Sequence, residues 1–342
     1  MKPTRELLRA SAKLAARRLT AHWLKEAARA SRRLRNPGAA EALHDFRVSV
    51  RRLRTCLRAY RDYLDKSLAK RLRRKLGELT DRTNAGRDEE VHLQWLRQCL
   101  RQPQLPDLEQ NGIRLLLNSL EARRRHQQPR LIRDIVRDFE KLAVPLRKQI
   151  KRGCRAGKRR RPASQPAFAA VIAAILCREA RDLHRQLRRV GSVNSPNPAH
   201  QARLIAKRMR YLLEPVSPKL PGADAAVARL RQLQDKLGEL HDLQTLKAEV
   251  SAAVERTAGD WSAQLIRDAS SEIWMAAIDQ KLPQVRTCYA LVAVMAHIHA
   301  EQRRLFEALR RSWLEGRDAA FQKQVQRLVE RLLAFEPQVG EA

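Results

Sequence analysis

The chain has 342 residues, 44% of them hydrophobic, which supplies the apolar surface for a sizeable core in two domains or one long repeated one. Its 70 Lys+Arg against 37 Asp+Glu leave a formal net charge of +33, so a polyanion is the expected neighbour and a small neutral substrate gives no reason for the excess. Aromatic residues make up only 4%, which argues against the stacking platforms that hold successive bases of a single-stranded nucleic acid.

Nearly every segment spaces its apolar residues at helical intervals, and β-branched clusters bounded by turn signals are absent, so the sequence predicts an all-α fold. The Arg-rich, amphipathic segment from Met1 to Leu24 contains Glu6 and has no small-residue cleavage site; it reads as the first helix of the fold, not as a transit peptide. Breaks follow at Asn36-Pro37-Gly38, Gln102 to Pro106, Gln127-Gln128-Pro129, Gly191 to Pro198, Pro215 to Gly222 and around Leu282-Pro283. Gly153 to Pro166, with two glycines, two prolines and a basic run, is the candidate linker. The expected organisation is a first helical repeat over 1–152, a basic linker over 153–166, a second helical repeat over 167–315 and a helical extension over 316–342. The longest apolar runs, around Ala167 to Cys177 and Tyr289 to Ala296, fall short of the roughly 20 residues of a membrane helix, so no membrane partner is expected. Five cysteines without a CxxC pair suggest neither a disulfide framework nor a thiolate zinc site, and fit a reducing, cytoplasmic compartment.

The two halves repeat each other. HDFRVSVRRLR from His44 and HQARLIAKRMR from His200 share H-x-x-R-[apolar]-x-x-[K/R]-R-[apolar]-R at a displacement of 156 residues (44 to 200). LRRKLGELTD from Leu72 and LQDKLGELHD from Leu233 repeat at 161 (72 to 233), and the Pro215 to Gly222 turn absorbs the difference. Two ordered blocks at nearly one spacing indicate duplication.

On a helix, positions i, i+3, i+7 and i+10 stay within an arc of roughly 80°. His44, Arg47, Arg51 and Arg54 therefore share a stripe that Arg58 extends, while Phe46, Val50, Leu53, Leu57, Tyr60 and Leu64 form a second stripe suited to burial. The second copy lines up His200, Arg203, Lys207 and Arg210, and ends at Glu214. A solvated face normally alternates sign, whereas like charges three and four residues apart repel, so these stripes are locally unfavourable without an anion. Arginine suits phosphate because its planar fork donates two parallel hydrogen bonds and stays charged. The histidines either donate to a phosphate oxygen or anchor their helix N-termini.

With these blocks the chain resembles the CHAD family, the conserved histidine α-helical domain: the duplicated histidine-led helices, the L-G-E-L-x-D blocks ending at Asp81 and Asp242, and Arg87-Asp88-Glu89-Glu90-Val91 carry the likeness, from about Arg5 to Glu315. The resemblance implies two four-helix units related by a pseudo-two-fold axis, with the basic stripes facing each other across a central cavity or groove. It also implies binding of inorganic polyphosphate, with polyphosphate granules as a possible destination, through His44, Arg47, Arg51, Arg54 and Arg58 and through His200, Arg203, Lys207 and Arg210. Arg52 and Arg208 match the motif off the main stripe and rank second, as do Lys75 and Lys236 and the pairs Arg123-Arg124 and Arg303-Arg304. His241-Asp242 departs from an expected Arg-Asp, which leaves Asp81 or Asp88 as the partner of Asp242 and the carboxylates' roles open. Whether the basic run from Lys151 to Arg161 joins the site is also open.

Nothing in the sequence has the spacing of a nucleophile with its base, a metal cluster or a phosphate-cradling glycine loop; His297 and His299, two apart, lie on opposite helix faces. The expectation is a binding protein without catalysis, cofactor or metal. The main alternative is a helical protein that binds the backbone of duplex RNA or DNA; a third is an adaptor docking through the tail beyond Gly316.

Overall fold

The computed structural model describes residues 5–35, 40–157, 166–193, 195–268 and 282–335. In chain order these carry α1 (Arg5–Arg9), α2 (Ala12–Arg33), α3 (Ala40–Ala59), α4 (Lys66–Cys99), α5 (Asp107–Gly157), α6 (Phe168–Leu187), α7 (Pro196–Leu213), α8 (Ala223–Asp268), α9 (Leu282–Trp313) and α10 (Ala319–Leu333). The fold is all-α. Its one β-type contact among the described residues is an isolated bridge: the Ala12 N–H donates to the Pro166 carbonyl at 3.1 Å and the Phe168 N–H to the Ala10 carbonyl at 2.9 Å, tying the N-terminal segment to the start of α6. The segment read as the first helix is thus two helices, α1 and α2, hinged at Ala10-Ser11 and packed through Leu7, Leu8, Ala12, Ala15, Ala16 and Leu19.

Most expected breaks coincide with turns: α4 ends before Gln102 to Pro106, α7 starts within Gly191 to Pro198, and Pro215 to Gly222 separates α7 from α8. Gln127-Gln128-Pro129 does not break the chain, because α5 runs straight through it. An interior proline costs about 3 kcal/mol. Burial on both sides of it offsets that cost: Ile113, Leu116, Leu117 and Leu120 sit in one core, and Ile135, Val136, Phe139 and Ala143 in another. The expected linker also starts late, since α5 continues to Gly157. Asn36-Pro37-Gly38 and residues 158–165 lie outside the described residues.

Two cores organise the packing. One joins the second half of α2, α3, the first half of α4 and the C-terminal half of α5, with Phe46 and Phe139 edge-to-face at 5.1 Å. The other gathers α1, the start of α2, the C-terminal ends of α3 and α4, the start of α5 and the later described helices. The long helices α4 and α5 therefore belong to both. At the α5–α9 crossing the backbones nearly touch: a Cβ on Gly112 would overlap the Ala290 carbonyl and the Val294 side chain.

The segment expected as a C-terminal extension is a core element. Phe321, Val325, Leu328 and Leu332 recur at helical spacing on α10, are all buried, and pack with α6, while Trp313 meets Phe321 edge-on at 5.3 Å. A tail free to act as an adaptor is not what residues 319–333 form.

Candidate functional site

The buried stripe of α3 (Phe46, Val50, Leu53, Leu57) turns its basic stripe toward α7, and the same phase on α7 buries Ala202, Ala206, Met209 and Leu213. Between the two helices, with α4, α6 and α8 closing the sides, lies a cavity of about 1630 Å³. Among the described residues twelve Lys/Arg side chains and seven carboxylates line it, together with His44, His200 and His241. Several of those carboxylates are already committed: Glu179 holds Arg208 at 2.7 Å, Glu90 holds Arg87 at 3.0 Å, and Asp182 turns to Arg185 at 2.9 Å. The cavity is left with a surplus of cations.

On the α3 side the arginines are braced by α4. Arg47, only 5% exposed, donates to the Thr83 carbonyl and to Asn84 Oδ1, the latter at 3.2 Å, and Arg51 shares Asn84 Oδ1 at 3.4 Å. Arg54 lies against Gly77, where a Cβ would stand 3.1 Å from its guanidinium nitrogen. Gly238, the matching glycine of the second block, faces Arg203 at a looser 3.8 Å. The repeated L-G-E-L blocks thus give arginine heads room beside a helix backbone, at a propensity cost of about 0.5–1 kcal/mol per glycine.

The electrostatics record crowding. Burial, then the Arg51 charge, pushes Arg47 down to about 9. Burial first, then Arg51, Arg203, Arg210 and Arg47, push Lys207 down to about 7. Desolvation also lowers Arg51, Arg54 and Arg58. His241, its ring tilted 49° from that of His200 with centroids 5.1 Å apart, falls to about 4 through burial, Arg203 and His200. Such shifts arise where burial strips charged groups of water and places them beside like charges, even where, as for Arg47, some hydrogen bonds remain.

Of the residues singled out in the sequence, His44, Arg47, Arg51, Arg54, Arg58, His200, Arg203 and Lys207 all line this cavity. Arg210 does not: its guanidinium is 3.6 Å from Glu214 and 5.1 Å from the Tyr211 ring. Glu214 also takes Arg52 at 2.6 Å, with Arg52 stacked 4.5 Å over Trp23, so this one carboxylate clamps α3 to α7 and withdraws both arginines. Arg208 and Arg124 line the cavity. Arg123 pairs with Glu89 at 2.6 Å and Glu249 at 3.2 Å, Arg304 with Glu301 at 2.6 Å, and Lys236 donates to the Ala308 carbonyl at 3.4 Å. Lys75 and Arg303 are exposed elsewhere on the surface.

Asp81, Asp88 and Asp242 all reach the cavity. Asp88 supports the charges of Arg47 and Arg51, and it couples to Asp242, whose carboxyl is raised by burial. Both stand close enough to the arginines for the charges to be felt in either direction. Behind Asp242, buried His92 places Nε2 3.2 Å from its carbonyl oxygen and 3.0 Å from Thr245 Oγ1, fastening α4 to α8. Sequence reasoning did not single out Arg61, Arg73 and Arg178, nor His241 as a site group. Arg178 is framed by Glu179 on a mixed-charge helix and gave no signal; the His241 signal lay in its place beside the repeated block. The Lys151 to Arg161 side chains lie outside the described residues.

A helical protein with two motif-bearing helices facing each other across a cation-rich cavity is the class this geometry defines. The CHAD domain matches residues 14–251, and the chain belongs to the CHAD family, which is associated with polyphosphate. The fold is similar to that of the CHAD domain from the plant Ricinus communis, with a TM-score of 0.57 at 19% identity over 86% of this chain and 93% of that one. No curated protein matches the chain. Among the described residues no helix is long and apolar enough to cross a membrane.

Proposed function

We propose that the protein binds inorganic polyphosphate in the cavity between α3 and α7, with Arg47, Arg51 and Arg54 on one wall and Arg203 and Lys207 on the other. The carrying observation is the convergence of Arg47, Arg51 and Arg203 on a Lys207 driven to about 7, a cluster whose mutual repulsion a string of phosphates relieves. His44 and His200 line the same cavity and add donors.

The ligand chemistry follows from shape. Among the described residues the lining has no Phe or Trp, and Tyr63 and Tyr211 are its large aromatic rings, so base stacking has little to work with. A cavity of about 1630 Å³ between two helices has room for a linear phosphate chain to enter it, whereas a duplex presents only its outer backbone to such a site. We take the site to bind without turnover, with its carboxylates orienting arginines, and the protein to reside in the cytoplasm on polyphosphate granules.

The test is competition at physiological salt between long-chain polyphosphate and duplex RNA for the purified protein, with Arg51→Glu/Arg203→Glu as control. These two are chosen because Arg47 is buried and hydrogen-bonded. Polyphosphate should displace RNA at equal phosphate concentration, and the double variant should lose binding. RNA displacing polyphosphate would favour a backbone-binding protein instead.

A further inference from the structure

The basic groups of α4 are not used up by the cavity. A second, shallower hollow of about 650 Å³ opens on the outer face of α4, lined by Lys70, Arg71, Arg73 and Arg74, with Arg54 at its inner end. It shares Arg54, Arg73 and Asp81 with the main cavity, so the two are contiguous. Gly77 sits at the junction, and its missing side chain leaves the gap in which the Arg54 head rests.

Among the described residues the lining sets two carboxylates, Glu78 and Asp81, against these five cations. Arg74 reaches Glu78 at 3.8 Å with both side chains well exposed, a kind of pair worth at most about 1 kcal/mol. Lys70, Arg71 and Arg73 form no ion pair among the described residues.

The duplication supplies the contrast. Lys70-Arg71-Leu72-Arg73-Arg74-Lys75 aligns with Arg231-Gln232-Leu233-Gln234-Asp235-Lys236 at the 161-residue displacement. In the second copy Gln234 is buried and donates to its own helix at 3.1 Å, and Lys236 is drawn to α9. The basic strip belongs to the first half alone.

We propose that a linear polyphosphate leaves the cavity between Arg54 and Arg73, passes Gly77 and continues along the outer face of α4 on Lys70, Arg71 and Arg74, so that one long chain fills two contiguous sites. Residues 70 to 77 span about 10 Å of helix, room for several further phosphates. A chain already held in the cavity meets the strip at high effective concentration, so weak contacts there add to affinity for long chains only. The inference rests on the polyphosphate reading of the cavity.

Wild type and Lys70→Gln/Arg71→Gln/Arg74→Gln are titrated with tripolyphosphate and with long-chain polyphosphate over a salt series, with circular dichroism confirming the fold. The ratio of long-chain to tripolyphosphate affinity should fall about tenfold in the variant, and its long-chain salt slope should drop by about two, three contacts at roughly 0.7 each. Arg311→Gln/Lys323→Gln/Arg327→Gln, the same charge removed from the exposed faces of α9 and α10, should keep the wild-type ratio. An unchanged ratio in the α4 variant, or an equal fall in the control, overturns the track and leaves the cavity intact. Wild type that binds neither ligand overturns the proposed function itself.

Discussion

The two basic stripes derive from one repeated motif, yet they are held differently. On α3, Arg47 and Arg51 are hydrogen-bonded to Thr83 and Asn84 of α4, and Arg54 is seated on Gly77. On α7, Arg210 is diverted to Glu214, and Lys207 faces four arginines with no carboxylate in salt-bridge contact among the described residues. One wall is fixed by hydrogen bonds in the free protein; the other carries a crowded charge that the proposed ligand would relieve. A duplicated motif thus supplies both pre-organisation and electrostatic tension, and the tension makes an anion more valuable to the folded state.

Arg47 and Lys207 are crowded alike, but only Arg47 is hydrogen-bonded to α4, so the two removals should act differently on stability. Arg47→Ala should give the largest loss, lowering polyphosphate affinity by about 10- to 100-fold, the range of one charge-assisted contact of about 1.5–3 kcal/mol. It should also destabilise the free protein by about 1 kcal/mol through its lost bonds to Thr83 and Asn84, readable by denaturant melts. Lys207→Met should weaken binding about tenfold but raise the melting temperature of the free protein. A lower melting temperature for Lys207→Met would erase the distinction between the walls.

The same contrast sets a pH dependence. Lys207 sits near 7 in the fold against 10.5 in the unfolded chain, so between these values the unfolded chain binds more protons and stability rises with pH. Cys56, held up to about 12 by burial, begins to act the other way only near its ordinary 9.0. From pH 7 to 9 the free protein should gain melting temperature, and Lys207→Met should flatten the rise. Polyphosphate bound as proposed would recharge Lys207, so its affinity should fall over the same window by up to about tenfold per pH unit.

The glycines give the smallest effects. Gly77→Ala crowds Arg54 and should cost about threefold in affinity, while Gly238→Ala, in ordinary contact with Arg203, should leave it unchanged. Both should stabilise their helices by up to about 1 kcal/mol. Equal effects on binding would mean that the blocks are only structural.

Much of this was legible in the sequence because helical period and like-charge repulsion are local. The stripes at His44 and His200 follow from residue spacing, as does the faint tension in them, and eight of their nine members meet in one cavity. Arg210 failed because Glu214, which ends the stripe, also captures its neighbour, and Arg52 comes to that carboxylate from the other half of the chain. Pro129 misled because a local penalty was outweighed by two remote cores. The C-terminal helix carried a clear buried stripe, but nothing in its sequence says that α6 is the surface it covers. Arg178 enters the site only through the way α6 packs.

The most direct test is the long-chain polyphosphate affinity of Arg51→Gln/Lys207→Met, which removes one cation from each wall while thermal melts verify folding. If the phosphates are held between α3 and α7, the variant should bind at least about a hundredfold more weakly, two contacts of about 1.5 kcal/mol each. A folded variant that binds polyphosphate as tightly as wild type would contradict the account.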